Sequence, residues 1–327
     1  MRKCPVASTH VTAGWGLRAF TRDELDEIHA ATLDVLRTTG VNMDCDEALD
    51  ILKEAGCWVN KKTRVVRIPD HVVSQAIAMC PSRILLAGRD PANDFMMGGK
   101  QVGFTTFGVG VLTEDMETGE VRQSTKADVA QIARLTDALE HMDILTAPVT
   151  PRDKPDESAD LHMLEAALVN CAKHYGSDAE DGERAKKLIE MAAAVAGGTD
   201  ELKERPIVSF GVCPTSPLRI IESCAEVIIE SARHWLPINV LSMVMAGASS
   251  PISLSGALVV HNAEVLAGIV LAQATNQGAP VIYGSSSTTL DMTHATAVVG
   301  VPEMAMISAG AAELANFYGI PSYVAGT

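Results

Sequence analysis

The chain has 327 residues, 47% hydrophobic and 20% charged, with a formal net charge of −15. That length suits one large domain with an appended cap, or two ordinary domains. The acidic balance and the lack of any Lys/Arg-rich run exclude the basic footprint that nucleic-acid binding needs.

The first eleven residues carry Arg2 and Lys3 with no apolar stretch behind them, so they read as lacking a secretory signal. Seven scattered cysteines without C-x-x-C spacing read as reduced thiols, and the expected location is the cytoplasm. Residues 21–38 predict a first helix: Thr21 with Glu24 is a capping-box pattern, Leu25, Ile28, Val35 and Leu36 line one face, and Gly40 stops it. Helices are expected at 46–55 and 69–79, with strands at 64–68 and 84–87, which makes residues 1–100 an α+β cap.

From Gly103 onward the rhythm changes. Short apolar runs predict strands at 102–107, 144–149, 174–177, 207–212, 238–243, 281–283 and 322–325. Helical stretches fall between them at 126–140, 159–171, 182–196, 219–234, 255–273 and 303–318. The most apolar stretch, 252–274, is broken by His261, Asn262 and Glu264, and reads as a buried helix rather than a membrane span. Alternation of this kind implies parallel strands with right-handed crossovers. A doubly wound sheet would want a G-x-G-x-x-G loop, and none precedes a helix here. The expected fold is therefore an α/β (β/α)₈ TIM barrel over residues 101–327, incomplete at its C-terminus with about seven strands.

In such a barrel, chemistry sits at the C-terminal ends of the strands. Those ends offer Phe107, His174, Tyr175, Asp178, Thr215, Ser242, Tyr283, Ser285, Ser286 and Tyr323 as substrate-binding candidates. No lysine follows a strand end, no H-E-x-x-H motif is present, and the 284–287 serine cluster has no evident base. Neither Schiff-base chemistry from an encoded lysine nor a protein-bound metal is expected. Aromatic faces at Phe107, Tyr175, Tyr283 and Tyr323 could enclose a methylated ammonium by cation–π attraction, with Asp178 as counter-charge. Serines and threonines after strands also serve as helix caps, and His261, Asn262 and Glu264 read as packing or interhelical hydrogen-bonding residues rather than catalytic ones.

At these same strand ends stand Cys213-Pro214-Thr215-Ser216-Pro217-Leu218, Asn239-Val240-Leu241-Ser242-Met243 with Gly247-Ala248-Ser249-Ser250-Pro251, and His261-Asn262-Ala263-Glu264-Val265-Leu266. On these motifs the sequence resembles the trimethylamine–corrinoid methyltransferase family. Tyr283-Gly284-Ser285-Ser286 and Tyr323-Val324-Ala325-Gly326-Thr327 extend the resemblance, as do Lys62-Thr63-Arg64-Val65-Val66 and Gly88-Arg89-Asp90 in the cap. It implies a soluble barrel enzyme, a homo-oligomer, that moves a methyl group from a small methylated amine, trimethylamine, to the Co(I) corrinoid of a separate cognate corrinoid protein. The corrinoid is supplied by that partner, so no cofactor is bound directly. The trimethylamine branch further implies pyrrolysine immediately after Thr327, encoded by an amber codon, so that no catalytic residue lies within these 327 positions. A relative without pyrrolysine acting on a quaternary amine of the betaine type, or an inactive truncated fragment, is the alternative.

Overall fold

In a computed structural model of the chain, which describes residues 18–325, the first helix, Arg22–Asp34, starts as its sequence dictates. Thr21 Oγ1 accepts the Glu24 amide at 3.3 Å and Glu24 Oε2 accepts the Thr21 amide at 2.7 Å, closing the capping box. A π-helical turn, Val35–Thr39, finishes the element against Gly40, whose φ of 80° favours glycine. A side chain there is impossible on a second ground, since a Cβ would stand 2.4 Å from the Val66 carbonyl oxygen.

Two units are distinguished by internal packing, one of residues 18–83 and 212–325, the other of residues 84–211. In the first unit the strand Val41–Met43 pairs antiparallel with Val65–Arg67 and parallel with Arg219–Ile220. Three parallel strands follow, Ile238–Ser242, Val281–Ser285 and Ser322–Val324, paired in that order. The helix Leu254–Thr275 joins the first two and Pro302–Tyr318 joins the second two. Leu254–Thr275 is long and apolar enough to cross a membrane by composition. Here it is a core helix: Val265, Leu266, Ala267, Ile269 and Leu271 are fully enclosed, each larger apolar side chain contributing about 1.5–3 kcal/mol of burial.

The second unit carries the strands Ile144–Thr146, His174–Asp178 and Val208–Val212, again parallel and paired in chain order. Ala159–Asn170 and Gly182–Ala196 are the crossover helices, the latter followed by Thr199–Glu204, which the sequence pattern did not announce. The hairpin Leu112–Glu114 with Val121–Gln123 accounts for the irregular stretch before Lys126–Ala138.

One expected strand does not form. Residues 102–107 make only an isolated bridge, Thr105 with Ile144, and a second lies further on at Gly110 with Val149. The reason is local competition for hydrogen bonds. Thr106 Oγ1 accepts the Thr146 amide at 3.0 Å and donates to the Thr146 carbonyl at 2.8 Å, so a side chain takes the place a backbone ladder would hold. The described residues therefore contain six parallel strands of this series where seven were expected.

Candidate functional site

Strand alternation decides where each expected residue points. In Val281–Ser285, Tyr283 pairs with Val240 and Ser285 with Ser242, and all four share the side that faces the helices. Tyr283 is fully buried, donates from Oη to Asn262 Oδ1 at 2.9 Å, and packs its ring 5.4 Å from that of His261. Burial pushes its hydroxyl pKa well up. Ser242 and Ser285 are equally enclosed, and Ser286, half-buried, sends its amide to the Ser242 carbonyl at 3.0 Å. Tyr323 pairs with Gly284 and so lies on the opposite side, with Asn239, Leu241 and Ile282. A Cβ on Gly284 would meet Asn239 Oδ1 at 2.2 Å, so the glycine is the gap into which that amide leans.

The same reading applies to His174–Asp178. Tyr175 pairs with Leu145 and Val208 and is buried; desolvation pushes its hydroxyl pKa up, and the Asp178 and Asp160 carboxylates add to the rise. His174 opens the strand rather than ending it. Its Nδ1 lies 3.0 Å from the Pro206 carbonyl and 3.3 Å from that of Ala87, which fixes the proton there, and Nε2 accepts from Ser209 Oγ at 2.9 Å. Burial holds the ring near a pKa of about 4, so it is neutral and satisfied: a core histidine. Asp178 ends the strand on the side of Gly176 and Thr146, opposite Gly211, where a Cβ would come within 2.9 Å of its Oδ1. Its side chain is open to solvent yet ringed by protein mass, and this partial desolvation raises the carboxyl to about 6.

The proposed aromatic enclosure is thus not assembled from the four expected rings. Tyr175 and Tyr283 turn into the helix layers, while Phe107 is 78% exposed on the irregular 102–110 stretch. Thr215 is exposed in the 213–218 loop, where its amide and carbonyl bond those of Arg219 at 2.7 and 3.1 Å. The position after Thr327 and the last two residues, Gly326 and Thr327, lie outside the described residues. The strand leading to them ends beside Ser285, whose carbonyl accepts the Ala325 amide at 2.9 Å.

What the rim candidates missed is the polar group behind them. Glu264 Oε2 accepts Ser242 Oγ at 2.7 Å and Ser216 Oγ at 2.8 Å, while Oε1 accepts the Leu218 amide at 2.9 Å. His261 Nδ1 meets Ser287 Oγ at 3.2 Å, and burial lowers its pKa to about 3. Asn262 Nδ2 donates to Thr32 Oγ1 at 3.0 Å and Tyr318 Oη at 2.8 Å. The His-Asn-x-Glu spacing on a largely apolar helix was the signal for it; Asn262 makes interhelical hydrogen bonds, as expected, whereas Glu264 bonds a strand end and a loop and His261 a loop serine. A groove of about 500 Å³ lined by Ile51, Val72, Met79, Arg233 and Val270 lies toward the C-terminal end of that helix, away from the strand ends.

A sequence model described as trimethylamine methyltransferase (MTTB) matches residues 9–327. A protein named trimethylamine methyltransferase MttB from Desulfitobacterium hafniense is 51% identical over 96% of this chain and 63% of its own length. The protein of that name from Methanosarcina barkeri is 46% identical over 98% of this chain and 66% of its own. A glycine betaine methyltransferase from Desulfitobacterium hafniense is 34% identical over 92% of this chain. The chain therefore spans a little under two thirds of the length of these relatives. The crystal structure of the Methanosarcina barkeri monomethylamine methyltransferase (MtmB) has the same fold, with a TM-score of 0.55 over 98% of this chain and 70% of that one, at 14% identity.

Proposed function

Because the chain belongs to the trimethylamine methyltransferase family, we propose that it serves methyl transfer from trimethylamine to the Co(I) corrinoid of a separate corrinoid protein. The observation that carries this reading is 51% identity, over 96% of the chain, to a protein of that name. The fold proposed with it is a TIM barrel, incomplete within residues 101–327, with an α+β cap of residues 1–100, in a cytoplasmic homo-oligomer that binds no cofactor of its own.

The chemistry sets the requirements. A tertiary amine is a poor leaving group, so its methyl carbon resists attack until the nitrogen becomes quaternary. An electrophile that adds the amine meets that need, and pyrrolysine following Tyr323-Val324-Ala325-Gly326-Thr327 is the electrophile proposed. A methylated ammonium is cationic, and Asp178, an unpaired carboxylate at a strand end, is the counter-charge proposed for it. Phe107, exposed in the same unit, offers a ring face, and Tyr323 occupies the strand that leads to the proposed electrophile. His174, Tyr175 and Tyr283 shape the supporting layers rather than touching the amine.

A second reading, demethylation of a quaternary amine such as a betaine, is favoured by the 34% identity to a glycine betaine methyltransferase. Such a substrate is already activated and needs no electrophile. The test is loss of Co(I) corrinoid absorbance in the cognate partner, with the gene expressed with and without amber readthrough. Trimethylamine turnover that depends on readthrough is expected. Turnover of glycine betaine but not trimethylamine would shift the assignment to the second reading, and no turnover of either would remove both.

A further inference from the structure

Glu264 is fully buried on a helix whose neighbouring positions are apolar, yet its carboxylate is not idle there. Desolvation raises its pKa, and three donors oppose that rise by stabilising the charged form. None of the donors belongs to the helix. Ser242 Oγ is the last residue of the strand Ile238–Ser242, while Ser216 Oγ and the Leu218 amide come from the loop that follows Val208–Val212. Apolar packing already seats the helix, so the carboxylate adds little to its docking that leucine would not supply.

The loop it grips needs holding. Leu218 has φ of 55°, a left-handed conformation that non-glycine residues adopt only where their surroundings impose it. Its amide is held by Glu264 and its carbonyl accepts the Asn42 amide at 2.8 Å. The backbone pair between Thr215 and Arg219 closes the turn, and Arg219 Nε donates to Asp44 Oδ2 at 2.8 Å. Without the carboxylate, Ser216 and Leu218 lose their common acceptor at the strand-end side while the Asn42 and Asp44 contacts remain.

We propose that Glu264 is the positioning residue of the 213–218 loop, holding Thr215 and Ser216 where a methylated amine at the strand ends meets them. The proposal rests on the methyl-transfer reading above for its substrate, but not for its geometry. Two measurements on the full-length enzyme separate the two. In Glu264→Ala, amide hydrogen exchange across 213–219 accelerates about tenfold or more, the scale of losing a hydrogen bond to a charged group, while exchange in Leu254–Thr275 changes far less. In the same variant KM for trimethylamine rises about tenfold with kcat within about twofold. Glu264→Gln restores both, because its Oε1 still accepts the Leu218 amide and its Nε2 can donate to the two serine oxygens. Should Glu264→Ala fail to fold, Ser242→Ala, whose hydroxyl faces Glu264 and not the amine, weakens the same grip and is read the same way.

Unchanged exchange in 213–219 overturns the hold on the loop. Faster exchange with an unaltered KM overturns its role toward substrate, and so does a KM defect that Glu264→Gln shares in full. If the wild-type enzyme methylates corrinoid from no amine, the methyl-transfer reading falls and takes the substrate role with it, and the exchange result alone reports the loop's anchor.

Discussion

Asn262 ties three elements of its unit together, and the cost of cutting it can be worked from its contacts. Its Oδ1 is the acceptor for Tyr283 Oη, and its Nδ2 serves Thr32 Oγ1 on the first helix and Tyr318 Oη on Pro302–Tyr318. Thr32 and Tyr318 keep second partners, the Ile28 carbonyl at 2.8 Å and His29 Nδ1 at 2.9 Å, so each loses about 1 kcal/mol in Asn262→Ala. Tyr283 Oη loses its acceptor in a fully buried site, which costs about 1–3 kcal/mol. Asn262→Ala is therefore expected to destabilise by about 3–5 kcal/mol before any cavity cost, and Tyr283→Phe, which strands the buried Asn262 Oδ1, by about 1–3 kcal/mol. Combined, the two are expected to cost about 1–3 kcal/mol less than their sum, because phenylalanine has no hydroxyl to strand. Denaturant unfolding of the four proteins measures this cycle. Additivity within about 0.5 kcal/mol refutes the network. The same Tyr283→Phe protein should keep its amine kcat/KM within about twofold, since the hydroxyl faces the helices; a large loss would return Tyr283 to the substrate pocket.

Asp178→Asn is expected to raise KM for a cationic or transiently cationic amine severalfold with little change in melting temperature. In the wild type, amine affinity should fall as pH drops through about 6, where the raised carboxyl takes up its proton, and a flat profile from pH 5 to 8 counts against Asp178 as counter-charge. Asp128 behaves oppositely. Arg122 bonds it at 2.8 and 2.9 Å and holds its carboxyl well below the usual range, with the Thr125 cap adding to the effect. A depressed carboxyl contributes stability that is present above its unfolded value and lost as pH falls, so Asp128→Asn should flatten the acid limb of thermal stability. An acid limb identical to wild type rejects that assignment.

Much of this chain was legible without coordinates. The Thr21–Glu24 cap, the Gly40 stop and the spacing of the strands and helices are local properties, written in residues a few positions apart, and the structure bears them out with boundaries shifted by a few residues. The long apolar helix was also readable, including its polar triplet.

Strand phase could not be read. Parallel strands buried on both faces carry apolar residues at consecutive positions, so the period-two signal that assigns a face is absent. Tyr283 and Tyr323 look alike in sequence, yet one turns into the helix layer and the other away from it because their registers differ by one. His174 reads as a rim residue until its strand is seen to begin there. The failed strand at 102–107 has a similar cause, since nothing near Thr106 announces that a hydroxyl 40 residues from Thr146 will take up its backbone bonds. Local residue patterns carry the elements and the family; which side chains meet, and that Glu264 reaches a loop 46 residues away, follows from tertiary pairing, because burial and hydrogen-bond partnership depend on contacts that no local window contains.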